Sequence, residues 1–157
     1  MINGPKRQKR VPGDIVRVDL GGGVHSYARV LNEAQFAIYD CKTEHDLDSV
    51  TIIASPILFY VAVMDYAVKR GLWGVVGHIP LEGTLLSPPP RFMQDALNPT
   101  SFSIYENGSV RPATRAECED LERAAVWDPD HVIDRIRDHY AGVNNKWVES
   151  LKIQDPK

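Results

Sequence analysis

The run Asp14-Ile15-Val16-Arg17-Val18-Asp19-Leu20 leads directly into Gly21-Gly22-Gly23. Val16, Val18 and Leu20 alternate with Arg17 and Asp19, the period of a strand with one buried face. Three glycines tolerate positive φ and reverse the chain at once. The next run, Val24 to Leu31, suits a strand that pairs back antiparallel, and Phe36-Ala37-Ile38-Tyr39 supplies a third after Asn32-Glu33. The glycines do not form a phosphate loop: no Gly-x-x-x-x-Gly-Lys-[Ser/Thr] pattern is present and no helix opens after them.

Downstream, residues 40–50 are polar and read as a loop carrying Asp40, Glu44, Asp46 and Asp48. Ile57 to Met64 is the most apolar stretch and reads as a buried strand or the entry to a short helix. Asp65 to Arg70 fits a helical turn that stops at Gly71, and Trp73 to Ile79 a further strand. Residues 80–100 hold Pro80, Pro88, Pro89, Pro90 and Pro99, which predicts a long ordered surface connection. Asn107-Gly108 between Phe102–Tyr105 and Val110-Arg111 is a strong hairpin signal. Two helices are expected to close the fold. The first starts at a capping box, Thr114 to Glu117, and puts Cys118, Leu121 and Ala125 on one face. The second starts with Asp128 as N-cap and Pro129 at the first helical position, and ends near Gly142.

The expected class is therefore α+β, mainly β: a small antiparallel curled sheet or SH3-like barrel core with two C-terminal helices. Its 157 residues fit one domain. The expected boundaries are a flexible basic lead-in over 1–12, one domain over 13–143 and a tail over 144–157.

Charge narrows the choice of partner. Lys6, Arg7, Lys9 and Arg10 give the first ten residues +4, and a formal net charge of −3 leaves −7 on the other 147. No aromatics interleave with the basic start, and the acidic body suits a basic protein partner, so nucleic acid is not the expected partner. No signal-peptide pattern opens the chain, and the longest apolar run, Ile52 to Val63, is interrupted by Ser55 and Pro56. A cytoplasmic protein with no membrane partner is expected. Cys41 and Cys118 read as two separate reduced thiols.

Signs of chemistry are few. The five histidines form no zinc spacing, and no nucleophile elbow occurs. His131, Asp134 and Asp138 along one helix are the one candidate metal set, the basis of an alternative reading as a metal-dependent hydrolase. A small-barrel nucleic-acid-binding protein using the basic start is the other alternative. The leading expectation is a binding protein, not an enzyme, with no cofactor.

An ordered series of local signals sharpens this. It runs Pro12-Gly13-Asp14-Ile15, Leu20, Gly23, Tyr27-Ala28-Arg29-Val30-Leu31, Ser55-Pro56-Ile57-Leu58-Phe59 and Val61-Ala62-Val63-Met64-Asp65. It continues through Gly71-x-Trp73, Gly77-x-Ile79-Pro80-Leu81, Pro88-Pro89-Pro90, Phe102-Ser103-Ile104-Tyr105, Arg111-Pro112-Ala113-Thr114-Arg115-x-Glu117 and Leu121-Glu122-x-Ala124-Ala125-Val126-Trp127. Over roughly residues 11–140 the chain resembles the immunity protein 26 family of bacterial polymorphic toxin and contact-dependent inhibition systems. The resemblance implies a largely β fold with added helices. It also implies a non-enzymatic protein that binds a cognate toxin domain and neutralises it by covering its active site or substrate groove. A nuclease toxin fits, because such grooves are basic. On charge alone, the expected contacts are Glu44, Asp46 and Asp48 in the acidic loop, then Glu119, Asp120 and Glu122.

Overall fold

The computed structural model describes residues 5–155. Two open sheets are joined by the chain that runs between them. The first is built from β1 (Asp14–Gly21), β2 (Val24–Val30), β3 (Gln35–Tyr39), β4 (Ile57–Val63), β5 (Gly74–His78) and β10 (Val126–Trp127), in the order β10-β4-β3-β2-β1-β5. The second holds β6 (Arg91–Gln94), β7 (Phe102–Glu106), β8 (Ser109–Ala113) and β9 (Glu122–Arg123), in the order β8-β7-β6-β9. Short helices α1 (Ser49–Ile53), α2 (Tyr66–Lys69) and α3 (Arg115–Cys118) decorate the sheets. A longer helix, α4 (Pro129–Ala141), and α5 (Lys146–Ser150) complete the chain.

The alternation that opens β1 works as expected. Val16, Val18 and Leu20 join Ala28, Val30, Phe36, Ile38, Val61 and Val63 on one face, where Val132 and Ile136 of α4 cover them. Each of these two helix residues is fully buried, worth roughly 1.5–3 kcal/mol apiece. The opposite face carries Ile15, Tyr27 and Tyr39, covered by Ile52 of α1. A sheet with helices on both faces encloses no lumen, and β5 and β10 lie at opposite ends of it. The main sheet is therefore open, which corrects the SH3-like barrel alternative. It is also mixed, since β10 pairs parallel to β4 while the other pairs are antiparallel.

Two expected elements differ. The proline-rich connection over 80–100 contains β6, an interior strand of the second sheet, formed between the triple proline that ends at Pro90 and Pro99. The helix expected from Thr114 has its capping box, but only one turn follows, and only Cys118 of the expected face lies on it. The chain leaves as β9, parallel to β6, then β10, parallel to β4. Both strands satisfy bare sheet edges, a non-local gain that overrides helix propensity. The Asn107-Gly108 hairpin forms with positive φ at both residues. Asp128 caps α4, and Gly142 ends it in the left-handed conformation.

The ends are not loose where they are described. Residues 1–4 of the expected flexible lead-in lie outside the described residues. Residues 5–12 are fastened to the sheet. Gln8 Nε2 donates to the Val68 and Trp73 carbonyls at 3.0 Å, and its Oε1 accepts from the Val75 amide at 2.9 Å. Gln8 thus behaves like a fragment of neighbouring strand on the edge of β5. Arg10 donates to the Leu31 and Gln35 carbonyls at 2.8 Å and lies over the Phe36 ring. The segment read as a tail carries α5, and its Ile153 packs on Phe92, Phe102 and Ile104 of the second sheet.

A buried cation holds the start of the domain. Arg29, 2% exposed, donates to the carbonyls of Gly13 (2.9 Å), Pro80 (3.2 Å) and Ile79, and to the Tyr39 hydroxyl (3.0 Å). It ties the Pro12-Gly13 turn to the exit of β5.

Candidate partner-binding surface

The acidic loop over residues 40–48 is mounted on the main sheet by its backbone. Thr43 forms an isolated antiparallel bridge with His25 of β2, their amides and carbonyls exchanging bonds at 2.9 and 3.0 Å. The Leu47 amide donates to the Tyr27 hydroxyl at 3.1 Å, and that hydroxyl lies 2.9 Å from His25 Nε2. His25 and Tyr27 are both buried, so the loop rests on fixed groups. At its start, the Tyr140 hydroxyl donates to Asp40 at 2.7 Å. Burial and that carboxylate push the Tyr140 phenol well above its ordinary range.

The three loop acids differ in what they already do. Glu44 is exposed and makes no ion pair among the described residues. Asp46 is exposed and pairs with Arg17 at 3.1 Å; Arg17 also holds Asp19 at 2.9 Å. Asp48 caps α1 by accepting from the Thr51 amide at 2.8 Å. That bond holds its carboxyl below the usual range. The loop acids were legible from sequence, but Arg17 was missed because its partner is 29 positions away.

The second acidic set does not form a continuous helical face, because the chain has become β9 by Glu122. Glu119 is exposed, 3.8 Å from Arg115. Asp120 is exposed with no ion pair among the described residues. Glu122 is committed internally: both of its oxygens accept from Arg135 at 2.9 Å, and Arg91 lies 3.5 Å away. Arg91 in turn donates to the Tyr60 carbonyl at 2.6 Å, and burial lowers its pKa. Glu119 and Asp120 border a depression of about 320 Å3 floored by Phe92, Leu121, Trp127 and Leu151.

The expected metal set is taken apart by α5. His131 stacks on Trp147, ring centroids 3.5 Å apart. Asp134 accepts from Trp147 Nε1 at 3.0 Å, and Asp138 from Asn145 Nδ2 at 3.0 Å. These residues clamp one helix to the next. Among the described residues, no three His, Cys, Asp or Glu side chains gather to hold a metal ion. Both cysteines are free thiols, Cys118 buried and Cys41 half-buried. No helix among the described residues is long and apolar enough to cross a membrane.

Comparison with known proteins adds one match. The family model described as Immunity protein 26 matches residues 11–103, more than half of the chain. That span runs from the Pro12-Gly13 turn through β1–β6 and includes the whole acidic loop. No curated protein and no solved structure matches the chain.

Proposed function

The chain belongs to the immunity protein 26 family, and from that membership we propose that it binds a cognate toxin domain and blocks it by covering the active site or substrate groove. The toxin is the effector of a polymorphic or contact-dependent inhibition system, and the encounter takes place in the cytoplasm of the producing cell. Nothing in the mechanism requires chemistry from this chain. Binding excludes substrate.

One observation carries the choice of surface. The loop of Glu44, Asp46 and Asp48 lies inside the family-matched span, is exposed, and is held by backbone bonds to a buried frame. A preorganised acidic loop loses little conformational freedom on binding and speeds encounter with a basic groove. The groove of a nuclease, built to take phosphates, has that sign. Asp120, beside its apolar depression, is the second contact.

The test is association of the purified chain with its cognate toxin domain, encoded beside it, across a range of salt. Glu44→Lys with Asp46→Lys slows association and flattens its salt dependence, while the dissociation rate changes less. Asp48 is left in place, because its loss also uncaps α1. Unchanged association and unchanged protection of toxin-expressing cells would remove the loop from the interface.

A further inference from the structure

The fastened N-terminal segment does more than protect a sheet edge. The Lys6 backbone sits against Gly71, its amide nitrogen and carbonyl carbon 3.2 and 3.1 Å from where a Cβ would stand. Gln8 bonds to the Lys69 carbonyl through its own amide at 3.1 Å. Lys6, Arg7 and Lys9 are thereby set beside Lys69 and Arg70 at the end of α2, and all five side chains are exposed. Arg7, Lys9 and Lys69 border one shallow depression with Asp65 and Glu33. These two carboxylates are already engaged: Asp65 with Lys69 at 3.1 Å and with Arg10 at 3.9 Å, Glu33 with the Tyr105 hydroxyl. The rest of the body is acidic, so this is a positive pole on a negative molecule.

The same pole is apolar as well as basic. Leu72, next to the Lys6–Gly71 contact, is 47% exposed. Val75, bonded to Gln8, and its chain neighbour Val76 are 38% and 49% exposed. The aromatic side chains there are not open for stacking: Trp73 is buried, and Arg70 lies 4.9 Å over the Tyr66 ring.

We propose that this pole docks the protein on an anionic lipid surface. Lysine and arginine heads meet lipid phosphates while their stems and the exposed Leu and Val side chains enter the headgroup boundary. A nucleic-acid backbone would use the cations but offers nothing for Leu72, Val75 and Val76. The acidic remainder of the molecule does not prevent contact, since charges beyond about 8 Å are screened at physiological salt. A peripheral contact of this kind needs no membrane-spanning run.

The test is co-sedimentation of the full chain with vesicles. One set holds phosphatidylglycerol and phosphatidylcholine in equal parts; the other is phosphatidylcholine alone. The chain pellets with the first set only, and less as salt rises. Replacing Lys6, Arg7 and Lys9 by Ala lowers partitioning about fivefold for each cation removed. Arg70→Ala with Leu72→Ser, on a different segment, lowers it independently. Circular dichroism checks that each of the two variants is folded, and either one suffices if the other is not. Equal or absent binding to the two vesicle sets overturns the proposal. So does a chain that ignores vesicles but binds a DNA duplex through the same cations.

Discussion

Arg135 donates from both of its terminal nitrogens to Glu122, 2.9 Å to each oxygen, with its guanidinium 3.8 Å over the Phe59 ring. One side chain thus joins α4, the edge of the second sheet and an aromatic of the first. A carboxylate expected to face a toxin thus also braces one layer against another.

Glu122→Gln keeps the shape but loses the charge of this bidentate pair. Stability to urea falls by about 1–2 kcal/mol, while toxin affinity is unchanged. Arg135→Ala costs more, since the stacking on Phe59 goes too. Equal effects of Glu122→Gln on stability and on toxin binding would return Glu122 to the interface.

Arg29→Met leaves the carbonyls of Gly13, Ile79 and Pro80 without their donor, the first in the buried interior and the other two at its part-buried margin. The expected loss is about 3 kcal/mol, read as a lowered urea midpoint. A variant as stable as the parent would show that water replaces the guanidinium.

Acid should weaken the junction of α2 and α4. Asp128 accepts from the Tyr66 hydroxyl at 2.8 Å and from the Asp130 amide at 2.9 Å, and these bonds hold its carboxyl below its ordinary 3.8. A depressed folded-state pKa means that the stabilisation is fully present above the unfolded value and is lost as pH falls through the folded one. Asp128→Asn removes that part of the pH dependence. Urea midpoints of parent and variant, compared from neutral pH to pH about 3, should converge on acidification.

Gly71 has φ +74°, and a Cβ there would overlap the Lys6 carbonyl. Gly71→Ala should cost at least about 1–2 kcal/mol from the backbone alone and expose the segment around Lys9 to trypsin. A variant cleaved no faster than the parent would show that the Gln8 bonds hold the segment without Gly71.

Elements set by neighbouring residues were readable in advance: the Asn107-Gly108 turn, the Thr114–Glu117 capping box, and the Asp128, Pro129 and Gly142 signals of α4. The alternation of Val16, Val18 and Leu20 named the buried face of β1. What escaped is non-local. β9 and β10 have two residues each, too few for any period, and exist because β6 and β4 offer open edges. β6 hides behind Pro88-Pro89-Pro90. At the candidate surface, the acidic residues were visible as letters. Which were free was not, because Arg17 and Arg135 reach them across 29 and 13 positions.

The passage of residues 122–127 from one sheet edge to the other also sets a clock. The second sheet gains its last strand only with Arg123 and the main sheet only with Trp127, and α4 cannot cover the main sheet until later still. A half-made chain already contains the acidic loop and its anchors His25 and Tyr27, but lacks Tyr140, which holds Asp40 at the start of the loop. The proposed toxin-binding surface is therefore fully braced only once nearly the whole polypeptide is made.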